Sequence, residues 1–146
     1  RVPVHWEAVA RAVTIRDELK SDALIIGNGD APDLFEAAAR ARETGADGVM
    51  LGRAIFGNPW LFKSETFGIK GLTLGQIKER LRVLVEHAKL FEELLGDIKS
   101  FAVMKKHFKA YVIGFSGAAK LRQALMETRD AVAAGQIVDK FLVDML

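Results

Sequence analysis

The chain has 146 residues, half of them hydrophobic, with a formal net charge of +2 and no cysteine. That length suits one ordinary domain or two small ones. The composition excludes disulfides and thiolate metal sites, and the small net charge does not by itself announce a nucleic-acid binder, though local clustering still can. With no apolar run of about 18 residues and no secretory signal pattern, the expectation is a soluble cytoplasmic protein without a membrane segment.

Residues 5–20, His5 to Lys20, read as a helix with Trp6, Val9, Ala10 and Val13 near one face. Trp6 is expected to pack, and His5 to stand at the surface or as a cap. Ala23 to Ile26 is continuously apolar, the pattern of a strand buried in a parallel sheet. Gly27 to Asp30 is its loop. Asp30 or Ala31 is expected to cap the next helix, with Pro32 in its first turn. That helix runs to about Thr44, with Leu34, Ala37, Ala38 and Ala41 on one face, and Gly45 stops it.

Gly48 to Leu51 is the second strand, and Gly52-Arg53 lies at its C-terminal end. Strand, loop, helix, strand, loop is a βαβ unit. The loops carry the chemistry. Glycines let a backbone approach a ligand closely, and arginine offers a planar, permanently charged fork for phosphate. Two such strand-end loops resemble the phosphate site of a (β/α)8 barrel, built after its last two strands. The bland reading is two tight turns with a surface arginine. Asp30 suits a cap or a loop-orienting role better than contact with an anion.

Phe56 to Phe62 reads as a short helix, with Trp60, Leu61 and Phe62 as apolar anchors. Residues 63–72, with Gly68 and Gly71, read as a linker, which puts a domain boundary near residue 65. Thr73-Leu74-Gly75-Gln76 has capping-box spacing. A long helix follows to about Leu95, with Leu74, Ile77, Leu81, Leu84, Ala88, Phe91 and Leu95 on one stripe and His87 as a solvent or boundary residue.

A further helix is expected from about Ile98 to Ile113. Phe101, Met104, Phe108, Tyr111 and Val112 share one arc, and Lys99, Lys105, Lys106 and Lys109 an adjacent one. Gly114 to Gly117 makes a turn, with Ser116 as N-cap of a helix carrying Lys120 and Arg122. The six basic residues form either a solvated face or a phosphate-binding cluster with salt-dependent affinity. The chain ends in a helix, broken at Gly135, with Ile137, Val138, Phe141, Leu142 and Met145 completing the helical core.

The strings GNGD, ETGADGVMLGRAIFGNPWLF and MKKHFKAYVIGFSGAAKLRQAL, at these spacings, resemble the C-terminal part of a tRNA-dihydrouridine synthase over roughly residues 5–128. The resemblance implies an α/β fragment of a TIM (β/α)8 barrel (residues 1–64), followed by an all-α helical tRNA-binding domain (residues 65–146), mostly helical overall. It assigns Asn28, Gly29, Asp30, Gly52 and Arg53 to flavin mononucleotide (FMN), mainly its phosphate side. It makes tRNA the partner of Lys99, Lys105, Lys106, His107, Lys109, Lys120 and Arg122. His107 and Tyr111 are of the kind that stack on or hydrogen-bond to RNA, the bland reading being that an aromatic on a core stripe belongs to the core. NADPH would be the reductant.

A complete barrel needs about 250 residues and eight strands, and only two strands are read here. The chain is therefore expected to be either the C-terminal part of a longer protein, dependent on a missing N-terminal barrel portion, or a truncated relative. The family's catalytic cysteine is absent, so the chain alone is expected to be inactive, with exposed strand edges that favour self-association. No catalytic residue and no metal ligand is read. The competing readings are a stand-alone, non-enzymatic RNA-binding module and a different phosphate-binding barrel enzyme.

Overall fold

The structure is a computed structural model and describes residues 4–63 and 71–145. The described residues form two compact units. The first holds residues up to 55 together with 59–63, and the second holds 56–58 together with 71–145. Most of the expected linker, including Gly68 and the boundary near residue 65, lies outside the described residues.

The first unit runs α1 (Trp6–Glu18), β1 (Ile26–Asn28), α2 (Leu34–Thr44), β2 (Gly48–Met50) and a 3-10 turn over Arg53–Ile55. β1 and β2 pair in parallel, with Ile26 opposite Gly48 and Asn28 opposite Met50. Asp47 sets this register. Its N–H donates to the Ile25 carbonyl at 3.0 Å, and its carboxylate accepts the Ile25 N–H at 2.8 Å and Arg16 of α1 at 2.5 Å. These bonds, led by the one from Ile25, hold the Asp47 carboxyl below its ordinary range.

Three local expectations for this unit need correction. The first strand lies later than Ala23–Ile26, because pairing with Val49 and Met50 carries the extended backbone through Gly27 and Asn28. It is also not buried: Ile26 and Met50 are both about half exposed, since the parallel pair has no further strand beside it among the described residues. Finally, the cap of α2 is Asp33, not Asp30 or Ala31. The Asp33 carboxylate accepts the Glu36 N–H at 2.8 Å, which leaves Pro32 before the helix, while Asp30 is engaged by Arg53. Gly45 closes α2 at φ 72°, as the stop signal implied.

No helix forms over Phe56–Phe62; the segment is a series of turns. Gly57 has φ 72°, and a residue before proline, here Asn58, disfavours the α region. Trp60 and Leu61 are buried, whereas Phe62 is exposed.

The second unit has α3 (Leu74–Leu95), a 3-10 turn (Phe101–Val103), α4 (Met104–Tyr111), α5 (Ala118–Met126) and α6 (Ala131–Asp144). The capping box at Thr73 and Gln76 is fully formed. α3 packs on α4 and α6, and α5 packs on the same two helices, so the four close a ring. Their shared core includes Leu81, Leu84, Met104, Phe108, Leu125 and Val138. The α3 stripe is buried from Ile77 to Phe91, while Leu74 and Leu95 at its ends are exposed.

The expected helix 98–113 is shorter and broken. Ser100 accepts the Ala102 N–H and starts a 3-10 turn, and Val112 leaves helical geometry. α5 starts from Gly117 at φ 79°, not from a Ser116 cap. α6 runs straight through Gly135 because Asp130 caps it and Ala131, Ala134 and Val138 bury one continuous face. Among the described residues no helix is long and apolar enough to cross a membrane.

Candidate functional site

Parallel pairing brings the two strand-end loops to one edge. β1 leaves at Asn28 and β2 at Met50, directly opposite. Asn28, Gly29 and Asp30 therefore share the C-terminal end of the pair with Gly52 and Arg53. Asp30 and Arg53 form a salt bridge between the loops. Both remain solvent-accessible, with the Arg53 side chain 64% exposed. The carboxylate engages Nη2, and a guanidinium has five N–H donors in all, so most of the fork stays open.

The glycines differ in why they are glycines. A Cβ on Gly29 would lie 2.6 Å from Val4 and 2.7 Å from the Trp6 ring, and one on Gly27 would lie 2.6 Å from the same ring. Close packing of Trp6 on β1 therefore accounts for both. Gly52 is the reverse: a Cβ there meets nothing within 4 Å among the described residues. Internal packing leaves Gly52 free to be any small residue, and the space over it is open to a ligand.

The second unit holds the other candidate residues. α4 reads MKKHFKAY, with Lys105, Lys106 and Lys109 and no carboxylate. None of the three pairs with an acid among the described residues, and two of them stand in the helix's first turn, where the dipole disfavours cations. Lys99 lies in the exposed segment before the 3-10 turn. Lys120 borders a cleft between α5 and α6. Arg122 is half-buried and donates to the Val112 carbonyl at 2.8 Å, a bond that closes the end of α4 onto α5.

His107 sits among aromatic rings. It stacks on Phe56 at 5.2 Å and 16°, meets the edge of His87 at 4.8 Å, and His87 meets Tyr111 at 6.0 Å, with 3.4 Å between Nδ1 and the tyrosine hydroxyl. Burial holds both histidines below their ordinary pKa; for His107, the neighbouring His87 and Lys106 add to this. Burial raises that of Tyr111.

Beside them lies a residue the sequence reading passed over. Arg80 is 2% exposed and donates through Nε and Nη2 to the Gly57 carbonyl, at 3.2 and 2.8 Å. Its burial pushes its pKa down. The signal was visible: Arg80 is three residues after Ile77 and four before Leu84, on the apolar stripe itself. Among the described residues no cluster of three or more acidic or histidine side chains could hold a metal ion.

The comparisons with known proteins agree on one family. A family model described as dihydrouridine synthase (Dus) matches residues 2–145. A probable tRNA-dihydrouridine synthase of Staphylococcus epidermidis is 37% identical over 142 residues, covering 97% of this chain and 42% of the relative. One of Staphylococcus aureus is 36% identical over 146 residues, covering 99% and 43%. A probable tRNA-dihydrouridine synthase 2 of Bacillus subtilis is 33% identical over 142 residues, covering 97% and 42%. The chain belongs to the dihydrouridine synthase family, and it spans less than half the length of these relatives.

Proposed function

We propose that the chain serves as the C-terminal part of a tRNA-dihydrouridine synthase. Residues 26–53 carry the phosphate side of an FMN site on the last two strands of a (β/α)8 barrel, and α3–α6 hold tRNA. The observation that carries this reading is the meeting of Gly52-Arg53 with Asn28-Gly29-Asp30 at the C-terminal edge of a parallel pair. Barrel enzymes bind phosphate at that edge.

The residues present fit an anionic phosphate. Arg53 projects an exposed fork, Asp30 orients it, and open space over Gly52 gives access to the backbone. The chemistry a bound flavin supplies is hydride for the uracil double bond, with NADPH as the source of electrons. This chain's own residues bind and orient; they provide no cysteine to protonate the ring, and the 146 residues alone do not reduce uridine. Leu24, Phe35, Ile26 and Met50 expose apolar surface that suits the remaining barrel of the same protein or, without it, a second copy.

In a full-length synthase carrying these residues, Arg53→Ala lowers FMN affinity at least about tenfold, the effect of one lost charge-assisted contact. Flavin absorbance retained through dialysis reads it out. Retention equal to wild type would remove Arg53 from the site. A second reading, a non-catalytic RNA-binding module, draws support from the helical unit's own complete core.

A further inference from the structure

Four rings run in a row through the helical unit. Tyr111 is 4% exposed at its inner end; His87 and His107 follow, half-buried; Phe56 ends the row 42% exposed. Phe56 is the one whose placement is hard to explain by packing. A side chain used only to seat the Gly57 turn would turn inward, and an aliphatic residue would serve. Instead the ring lies nearly parallel to His107, with Lys106 Nζ 5.6 Å from its centroid.

The mounting is rigid. The next residue, Gly57, is gripped by Arg80 and lies so close to α4 that a Cβ would fall 2.4 Å from the Ala110 carbonyl oxygen. The α4 lysine beside the ring is Lys106, which has no acidic partner among the described residues. Exposed aromatic faces bordered by cations bind unpaired bases, the ring stacking the base and the lysines taking the phosphates. Burial, with His87 and Lys106, lowers the His107 pKa and so favours the uncharged ring in the stack.

We propose that Phe56, backed by His107, is a stacking platform for one unpaired nucleobase of RNA, with Lys106 beside it contacting a phosphate of the same strand. This rests on the RNA-binding reading of α3–α6 and adds to it a base contact from outside the lysine face.

The test uses the 146-residue chain and a short single-stranded oligoribonucleotide carrying one 2-aminopurine. Wild type and Phe56→Tyr bind it and quench the fluorophore by stacking. Phe56→Leu keeps the circular dichroism spectrum and unfolding midpoint of wild type, loses the quenching, and binds about tenfold more weakly. Its salt dependence stays that of wild type, because phenylalanine carries no charge. Equal binding and quenching by Phe56→Leu would overturn the platform while leaving RNA binding intact. No binding by wild type at low salt would overturn the RNA reading itself, and the platform with it.

Discussion

Gly57→Ala is expected to destabilise the helical unit by about 3 kcal/mol. Two costs add. The first is conformational: Gly57 has φ 72°, where a Cβ is strained. The second is spatial. The new methyl would sit 2.4 Å from the Ala110 carbonyl oxygen, 2.5 Å from its carbon and 2.9 Å from the Tyr111 nitrogen. All three are backbone atoms of one helix end, and none can rotate away. Urea unfolding followed by circular dichroism measures the loss. A change below about 0.5 kcal/mol, the range of an ordinary surface substitution, would mean that the turn is not seated on α4 as described.

Arg80→Ala has a comparable effect, about 3 kcal/mol, for a different reason. The guanidinium is buried within the helical unit and directs two N–H donors at one carbonyl. Truncation leaves the Gly57 oxygen without those donors and opens a cavity beside Tyr111. Arg80→Lys recovers part of the loss, because an ammonium supplies a point donor and not a fork. The two substitutions act on one contact, so the double variant loses less than the sum of the singles. Strict additivity would contradict a shared seat for Arg80 and Gly57.

Much of the helical unit was legible because its signals are local. The Thr73–Gln76 capping box, the stripe from Ile77 to Phe91 and the α4 arc of Met104, Phe108, Tyr111 and Val112 all stand as the spacing implied. Three of the misses share a cause: a local signal outvoted by tertiary packing or pairing. Gly135 reads as a stop, but burial of Ala134 and Val138 carries the helix through it. Asp30 reads as a cap until Arg53, 23 residues on, engages it and Asp33 takes the cap. Ala23–Ile26 reads as the strand until pairing with β2 moves it to Ile26–Asn28.

The candidate sites divide the same way. Arg53 and the glycines around it were visible as a motif, because strand-end loops of a βαβ unit fall on one edge by topology. That Gly27 and Gly29 are small to admit Trp6 was not visible, since it depends on how α1 folds back onto β1. Nor was the Phe56–His107 stack, whose members are 51 residues apart (107 minus 56) and meet only through tertiary packing.

Binding of tRNA by the 146-residue chain, measured by fluorescence anisotropy across a salt series, tests the functional account most directly. The account predicts binding at low salt that weakens linearly in the logarithm of salt concentration, with the slope flattened by about 2 when Lys105, Lys106 and Lys109 are all replaced by glutamine. Absence of binding at low salt, or a slope indifferent to those three lysines, would contradict it.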